Sequence, residues 1–226
     1  MWTRRDKNYL ITNWHVVTLR NNETLKHLHE KSAIPDSLVG HFRARLGSFE
    51  TQQQQIPLLD ADGRPLWLHH AGHGRAVDVV AIPLPDNLSE FVTPLNRLPH
   101  EPMLMQIGMD VYVLGFPFGS GAPSLPVWKR GSIASEPAIV RQAALHHLVD
   151  TASRPGMSGA PVILRAYGAR LTEAGTSIRD EPGTRFFGVY SGRLHVQENE
   201  AQLARVWPES FIEEIIDGNV RDPGGW

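Results

Sequence analysis

Cysteine is absent from all 226 residues, which removes disulfide stapling, thiolate nucleophiles and zinc centres built on cysteine together. A reducing compartment is the natural setting for such a chain, and the cytoplasm is its expected location. An excess of either charge is also missing. Twenty-two Lys and Arg face 24 Asp and Glu, a formal net charge of −2, so no basic field holds nucleic acid or an anionic lipid surface non-specifically. Neither nucleic acid nor a membrane is expected as a partner. Long apolar runs are lacking as well: Val77 to Leu84 and Val111 to Phe118 are interrupted by Asp78, Gly115 and prolines and fall far short of the roughly 20 residues a membrane span needs. The opening Met1-Trp-Thr-Arg-Arg-Asp-Lys7 is charged like an export signal. Tyr9-Leu-Ile-Thr-Asn-Trp-His15 breaks the apolar stretch that should follow, so no export is expected.

What the chain does have is turn formers, with 20 Gly and 17 Pro in a composition that is 41% hydrophobic and 20% charged. That is ordinary globular make-up, and the length fits one compact unit or two small barrels. Short runs of β-branched and aromatic residues recur between Gly, Pro, Asn and Asp clusters, the pattern of an all-β barrel or sandwich. Strands are expected at Asn8 to Thr12, Gly40 to Gly47, Gln55 to Leu59, Arg64 to His69, Val77 to Pro83, Asp110 to Gly115, Trp128 to Ser135, His146 to Asp150, Ala160 to Arg165 and Arg185 to Ser191. Asp60-Ala-Asp-Gly63 is expected to close a hairpin, with Gly63 at positive φ.

Two helices are expected. One covers Asn13 to Leu19. The other spans 208–217, where Pro208-Glu209 opens a run that puts Phe211, Ile212, Ile215 and Ile216 on one face and Gly218-Asn219 ends it. The tail Asp222-Pro-Gly-Gly-Trp226 is expected to be loose. Asn21 to Ser37, Gly119 to Pro126 and Thr172 to Thr184 are expected to be surface loops. A boundary near Pro99 to Met103 divides the chain into residues 1–100 and 101–226, with the closing helix assigned to the second part.

The chemistry is concentrated in Arg154-Pro155-Gly156-Met157-Ser158-Gly159-Ala160-Pro161, where a serine sits between small residues in a constrained turn entering a strand. Small neighbours expose the hydroxyl, and glycines let backbone N–H groups turn toward an oxyanion. Serine is inert without a base within hydrogen-bond reach. His15, just after an apolar strand and at the start of a helical turn, is the leading candidate. Asp78 lies alone in Ala76-Val-Asp-Val-Val-Ala-Ile82, where an unpaired carboxylate would cost several kcal/mol to bury. A histidine N–H donor accounts for its presence there.

These blocks resemble the trypsin/chymotrypsin-like serine peptidases, and especially the disulfide-free bacterial branch that includes the HtrA-like enzymes. Thr12-Asn-Trp-His15-Val-Val resembles the family's histidine motif, Val77-Asp78-Val-Val-Ala its aspartate motif, and Pro155-Gly-Met-Ser158-Gly-Ala-Pro161 its serine motif. They occur in the order His, Asp, Ser, 63 and 80 positions apart. Val113-Leu-Gly-Phe-Pro-Phe-Gly119 and Lys129-Arg-Gly-Ser-Ile-Ala134 resemble the opening strands of an HtrA-type second barrel.

The resemblance implies a chymotrypsin-like double β-barrel with a C-terminal α-helix. It also implies a cofactor-independent serine endopeptidase with no metal, acting on protein or peptide substrates. His15, Asp78 and Ser158 would form the triad, and Gly156 and Ser158 the oxyanion hole. Counting back from the serine puts Ala152 at the base of the primary pocket, with Ser191, Gly192 and Arg193 as its wall. An uncharged pocket of that kind favours small or aliphatic side chains.

The sequence departs from the family pattern at three points. Ala160 replaces a second glycine. Met157 stands where digestive members keep an acid that pairs with a newly cut N-terminus, so activation by zymogen cleavage is not expected. Few residues precede the histidine strand, which leaves the first barrel incomplete or completed by residues outside this sequence, and a regulatory partner or domain is compatible with the family.

Other readings are weaker. A catalytically silent trypsin-like module that binds a partner keeps the same fold. An α/β-hydrolase esterase would pair Ser158 with Asp180 and His195, but Ala160 breaks its Gly-x-Ser-x-Gly elbow and the chain is helix-poor. His69-His70-x-x-His73 lacks the spacing of a helical zinc motif and no carboxylate stands near it in sequence, so these are expected to be surface histidines.

Overall fold

The computed structural model describes residues 1–43, 49–117, 125–140, 145–152, 154–194 and 202–226. In chain order the first elements are β1 (Trp2–Arg4), β2 (Lys7–Thr12), α1 (Trp14–Thr18), β3 (Ser37–Arg43), β4 (Thr51–Pro57), β5 (Leu68–His69), β6 (Val80–Pro83) and β7 (Asp110–Gly115). They are followed by β8 (Val127–Ile133), α2 (Pro137–Val140), β9 (His147–Asp150), β10 (Pro161–Thr172), β11 (Gly175–Arg193), β12 (Leu203–Pro208), α3 (Glu209–Gly218) and β13 (Val220–Arg221). The molecule is thus mostly strand with a C-terminal helix, as the alternating apolar runs require. Residues 44–47 of one expected strand, most of the expected loop after residue 118, and His195 lie outside the described residues. No described helix is long and apolar enough to cross a membrane.

Met1–Arg97 and Ser210–Trp226 belong to one compact unit, and residues 98–117 and Pro126–Glu209 belong to another. In the first unit an antiparallel sheet runs in the order β1-β2-β6-β5-β13, and β3 and β4 form a separate two-stranded sheet. Gly63 takes φ 75° in a turn closed by hydrogen bonds between Asp60 and Arg64. Apolar side chains from these elements, among them Trp14, Val17, Ile56, Leu58, Trp67, Val80 and Ile82, form one buried cluster.

The C-terminal helix, assigned from the sequence to the second part, groups with the first unit. Its buried face is the one its apolar spacing marks, Phe211, Ile212, Ile215 and Ile216. Phe211 meets the rings of His70 and His73 edge-on at 5.2 and 6.4 Å. Arg4 reaches Glu213 at 2.9 Å and Asp217 at 2.7 Å, and β13 pairs with β5.

The Asp217 carboxyl is held below its ordinary value near 3.8, chiefly because it accepts a hydrogen bond from Arg4, with the charges of Arg4 and Arg5 adding to the effect. A carboxylate with a depressed folded-state pKa stabilises the fold above the unfolded pKa, and that stabilisation is lost as pH falls through the folded one. Asp217→Asn should therefore lower the melting temperature near neutral pH, and the difference should shrink as pH falls through the depressed folded-state pKa and in high salt.

The second unit is a closed antiparallel barrel in the order β10-β11-β12-β9-β8-β7. Period-two burial builds its core: Val111 and Val113 from β7, Val162 and Leu164 from β10, and Ala204 and Val206 from β12 all point inward. The expected loop Thr172 to Thr184 is instead the end of a long hairpin. β10 and β11 stay paired from Pro161↔Val189 to Thr172↔Gly175, with register shifts near Val162 and Ala166. The stretch lacks apolar alternation because most of it is exposed, and the ladder forms all the same.

Near the turn of this hairpin, where Arg170 faces Ser177 across the ladder, Arg170 is fully buried and paired to Glu101. Removing one partner of a buried ion pair leaves the other charge uncompensated. Glu101→Ala should therefore destabilise the protein by about 3–5 kcal/mol, read as a shift in the denaturant midpoint.

Candidate active site

In the first unit the strand register brings two chain segments to the same sheet end. β2 and β6 are antiparallel with Thr12↔Val80 as the last pair, so residues that follow β2 and residues that precede β6 emerge side by side. His15 is on the first group, at the start of α1, and Asp78 is on the second.

Asp78 is 3% exposed at its side chain and His15 19%. Asp78 Oδ2 lies 2.6 Å from His15 Nδ1, and Asp78 Oδ1 accepts the His15 backbone N–H at 3.0 Å. Asn13 Nδ2 donates to the Asp78 carbonyl at 2.7 Å, which ties the two segments together once more. An ionised carboxylate only accepts, so Nδ1 carries the proton and Nε2 is the acceptor nitrogen of the neutral ring. The pair is an imidazole whose orientation and tautomer are both set by a buried acid.

The second unit holds the serine turn. Pro155-Gly156 and Ser158-Gly159 are turns, with φ 87° at Gly156 and 78° at Gly159, conformations that suit glycine. Met157 and Ala160, at 1% and 7% exposure, are buried on either side of the half-buried Ser158. The turn is thus pinned at both ends around the half-buried serine. The Ala160 methyl belongs to the barrel core, which is where the departure from glycine is accommodated. Met157 packs against Gly115 so closely that a Cβ at Gly115 would stand 2.8 Å from its sulfur.

Tyr190 accepts the Gly159 N–H and donates to the Ala160 carbonyl, both at 2.9 Å. The next residues, Ser191, Gly192 and Arg193, are thereby held in fixed register with the serine turn. Ser191 and Gly192 are half-buried, Arg193 is exposed and Ala152 is half-buried.

Lys129, known from the sequence only as the start of a barrel-strand motif, and Thr151, beside Ala152, were not expected to interact. Lys129 Nζ donates to Thr151 Oγ1 at 2.8 Å, and Thr151 Oγ1 donates to the Arg130 carbonyl at 3.2 Å. Burial, with the nearby Arg154 charge, lowers the lysine pKa from its ordinary value. A lysine at an inward position of β8, alternating with Gly131 and Ile133, is the signal that marks it. Asn13, which the sequence marks only as the start of a helix and a member of the histidine block, makes no capping hydrogen bond with its side chain.

The histidine cluster is only partly a surface feature: His73 is exposed and His69 half-buried, whereas His70 is buried. His70 is 8% exposed, and its Nε2 lies 2.8 Å from Glu214. Its Nδ1 accepts backbone N–H groups from Gly72 and His73 at 3.1 and 3.0 Å. The carboxylate missing from the local sequence comes from α3. No metal-binding group of three or more His, Asp or Glu side chains occurs among the described residues.

Fold and sequence together define a class. Residues 2–169 match the trypsin-like peptidase domain, and the chain belongs to that family. A search of curated proteins found no match. Among solved structures the chain is similar to Rv3671c from M. tuberculosis, in the inactive form of a serine-to-alanine mutant, at 16% identity and TM-score 0.38 over 81% of this chain and 77% of that one. It is also similar to human heparin binding protein, at 16% identity and TM-score 0.41 over 84% and 77%.

Proposed function

We propose that the chain is a cofactor-independent serine endopeptidase that cuts exposed segments of other proteins through an acyl-enzyme, and that it works in the cytoplasm. The observation that carries this reading is the buried Asp78 with His15 Nδ1 2.6 Å from its carboxylate, in a chain of the trypsin-like peptidase family.

In the proposed reaction Ser158 Oγ attacks the scissile carbonyl carbon and His15 Nε2 takes the hydroxyl proton. The resulting oxyanion accepts hydrogen bonds from the Gly156 and Ser158 backbone N–H groups. As the intermediate collapses, the C–N bond breaks and the imidazolium gives its proton to the leaving amine. Water then attacks the ester with His15 again as base, releasing the acid and restoring Ser158. Asp78 stays ionised and stabilises the imidazolium throughout.

A fluorophosphonate probe tests the activity. Labelling of the wild type that disappears in Ser158→Ala supports an enzyme, and a folded wild type that never takes label favours the silent binding module.

For specificity we propose a pocket based on Ala152 and walled by Ser191, Gly192 and Arg193 that accepts small or aliphatic side chains. Profiling on a peptide library should show cleavage after Ala, Val or Leu. Cleavage restricted to Lys or Arg would overturn the assignment.

A further inference from the structure

The C-terminal tail expected to be loose is instead ordered against the histidine helix. Asp222 is 5% exposed. Its Oδ2 accepts the Trp14 indole N–H at 2.8 Å, and its Oδ1 accepts the Trp226 indole N–H and the Gly224 backbone N–H, both at 2.9 Å. The Asp222 backbone N–H donates to the Trp67 carbonyl at 3.1 Å, and His69 Nδ1 lies 3.6 Å from Oδ2. The Trp226 ring meets Trp14 edge-on at 5.8 Å and stacks on Trp67 at 5.9 Å, and Arg20 lies 5.9 Å from its centroid.

Trp14 directly precedes His15 in α1, a helix of five residues, far too short to be stable by itself. Consecutive helical residues point about 100° apart. Asp78 grips His15 on one side while Asp222 grips Trp14 on another, and two tethers at different angles stop the helix from rotating about its axis. Core packing of Trp14 and Val17 holds the helix down, and the second tether sharpens the angle at which it presents His15.

We propose that Asp222 is a positioning residue, which through Trp14 and Trp226 fixes the helix so that the His15 ring is held for proton transfer. The functional consequence rests on the peptidase reading above, and the geometric one does not. In Asp222→Asn one oxygen becomes an amide donor facing an indole N–H that is also a donor, so one of the two tryptophan bonds is lost.

The test follows the His15 Nδ1 proton, which a 2.6 Å bond to Asp78 shifts far downfield in the proton NMR spectrum. Asp222→Asn should retain native circular dichroism and broaden or lose that resonance. It should also lower kcat by about 10²-fold, the order expected of a small misplacement, with KM within about 2-fold. Asp217→Asn, which is outside the proposed machinery, controls for destabilisation and should leave the resonance intact.

If Asp222→Asn does not fold, Trp14→Phe keeps an aromatic ring in the buried site, removes the N–H donor together with part of the ring volume, and should show the same spectral change. A folded variant of either kind with an unaltered resonance and unaltered kcat overturns the proposal. A wild type without hydrolytic activity whose resonance still vanishes in Asp222→Asn would sink the peptidase reading and leave the positioning role standing.

Discussion

Replacing Ser158 with alanine is expected to lower turnover of a cleavable peptide by about 10⁶-fold, the scale seen when a triad nucleophile is removed. Its effect on stability should stay within about 0.5 kcal/mol. The separation of these effects follows from the local packing. Met157 and Ala160 hold the turn in the barrel core, and the half-buried serine between them, the nucleophile of the proposed reaction, contributes little of the packing. KM should change little, because the remaining wall and backbone donors are intact. Residual hydrolysis above the uncatalysed rate should survive, since backbone donors and substrate binding do not depend on the hydroxyl. A variant that retains more than a few per cent of wild-type turnover would move the nucleophile elsewhere.

Asp78→Asn is expected to cost about 10⁴-fold in kcat, the effect of presenting the wrong tautomer in this type of triad. The carboxylate takes two donors from one residue, the His15 ring at 2.6 Å and the His15 backbone N–H at 3.0 Å. An asparagine offers one acceptor. If its oxygen keeps the backbone N–H, its amide faces Nδ1 as a donor, the ring moves its proton to Nε2, and the base is lost. Asp78→Asn should also shift the pH dependence of kcat/KM, because the imidazolium loses its counter-charge. Unchanged kcat and an unchanged profile would remove Asp78 from the mechanism.

Much of the site was legible because its information is local. A histidine just past an apolar strand, a lone acid in an apolar run and a serine among glycines are each short patterns. The pairing Thr12↔Val80 then brings two of them to one sheet end by ordinary antiparallel geometry. The C-terminal helix was legible for the same reason, since its 3.6-residue spacing is unbroken from Phe211 to Ile216.

What escaped was non-local. Trp14 and Asp222 are 208 positions apart, and a tail of Pro, Gly and Gly carries no periodicity to announce that its carboxylate will be buried. Glu214 and His70 are separated by 144 positions, so a cluster that looked solvated in sequence is partnered from the far end of the chain. Strand β12 was missed although Ala204 and Val206 alternate with Arg205 in the expected way, because the run is only six residues long and closes on a proline. The outer part of the β10–β11 hairpin has no apolar face to read. Its strands are specified by backbone pairing and a Thr172-to-Gly175 turn.

That hairpin raises a solubility problem of its own. Ile178 is 78% exposed and Tyr167 63%, on strands whose mid-length backbone is a potential template for a stray polypeptide. Arg179, Asp180, Glu181 and Pro182 follow Ile178 without interruption. Three charges must be desolvated, and a proline that cannot donate must be accommodated, before a foreign strand can dock there. These gatekeepers disfavour pairing with a foreign strand along the exposed stretch of the hairpin.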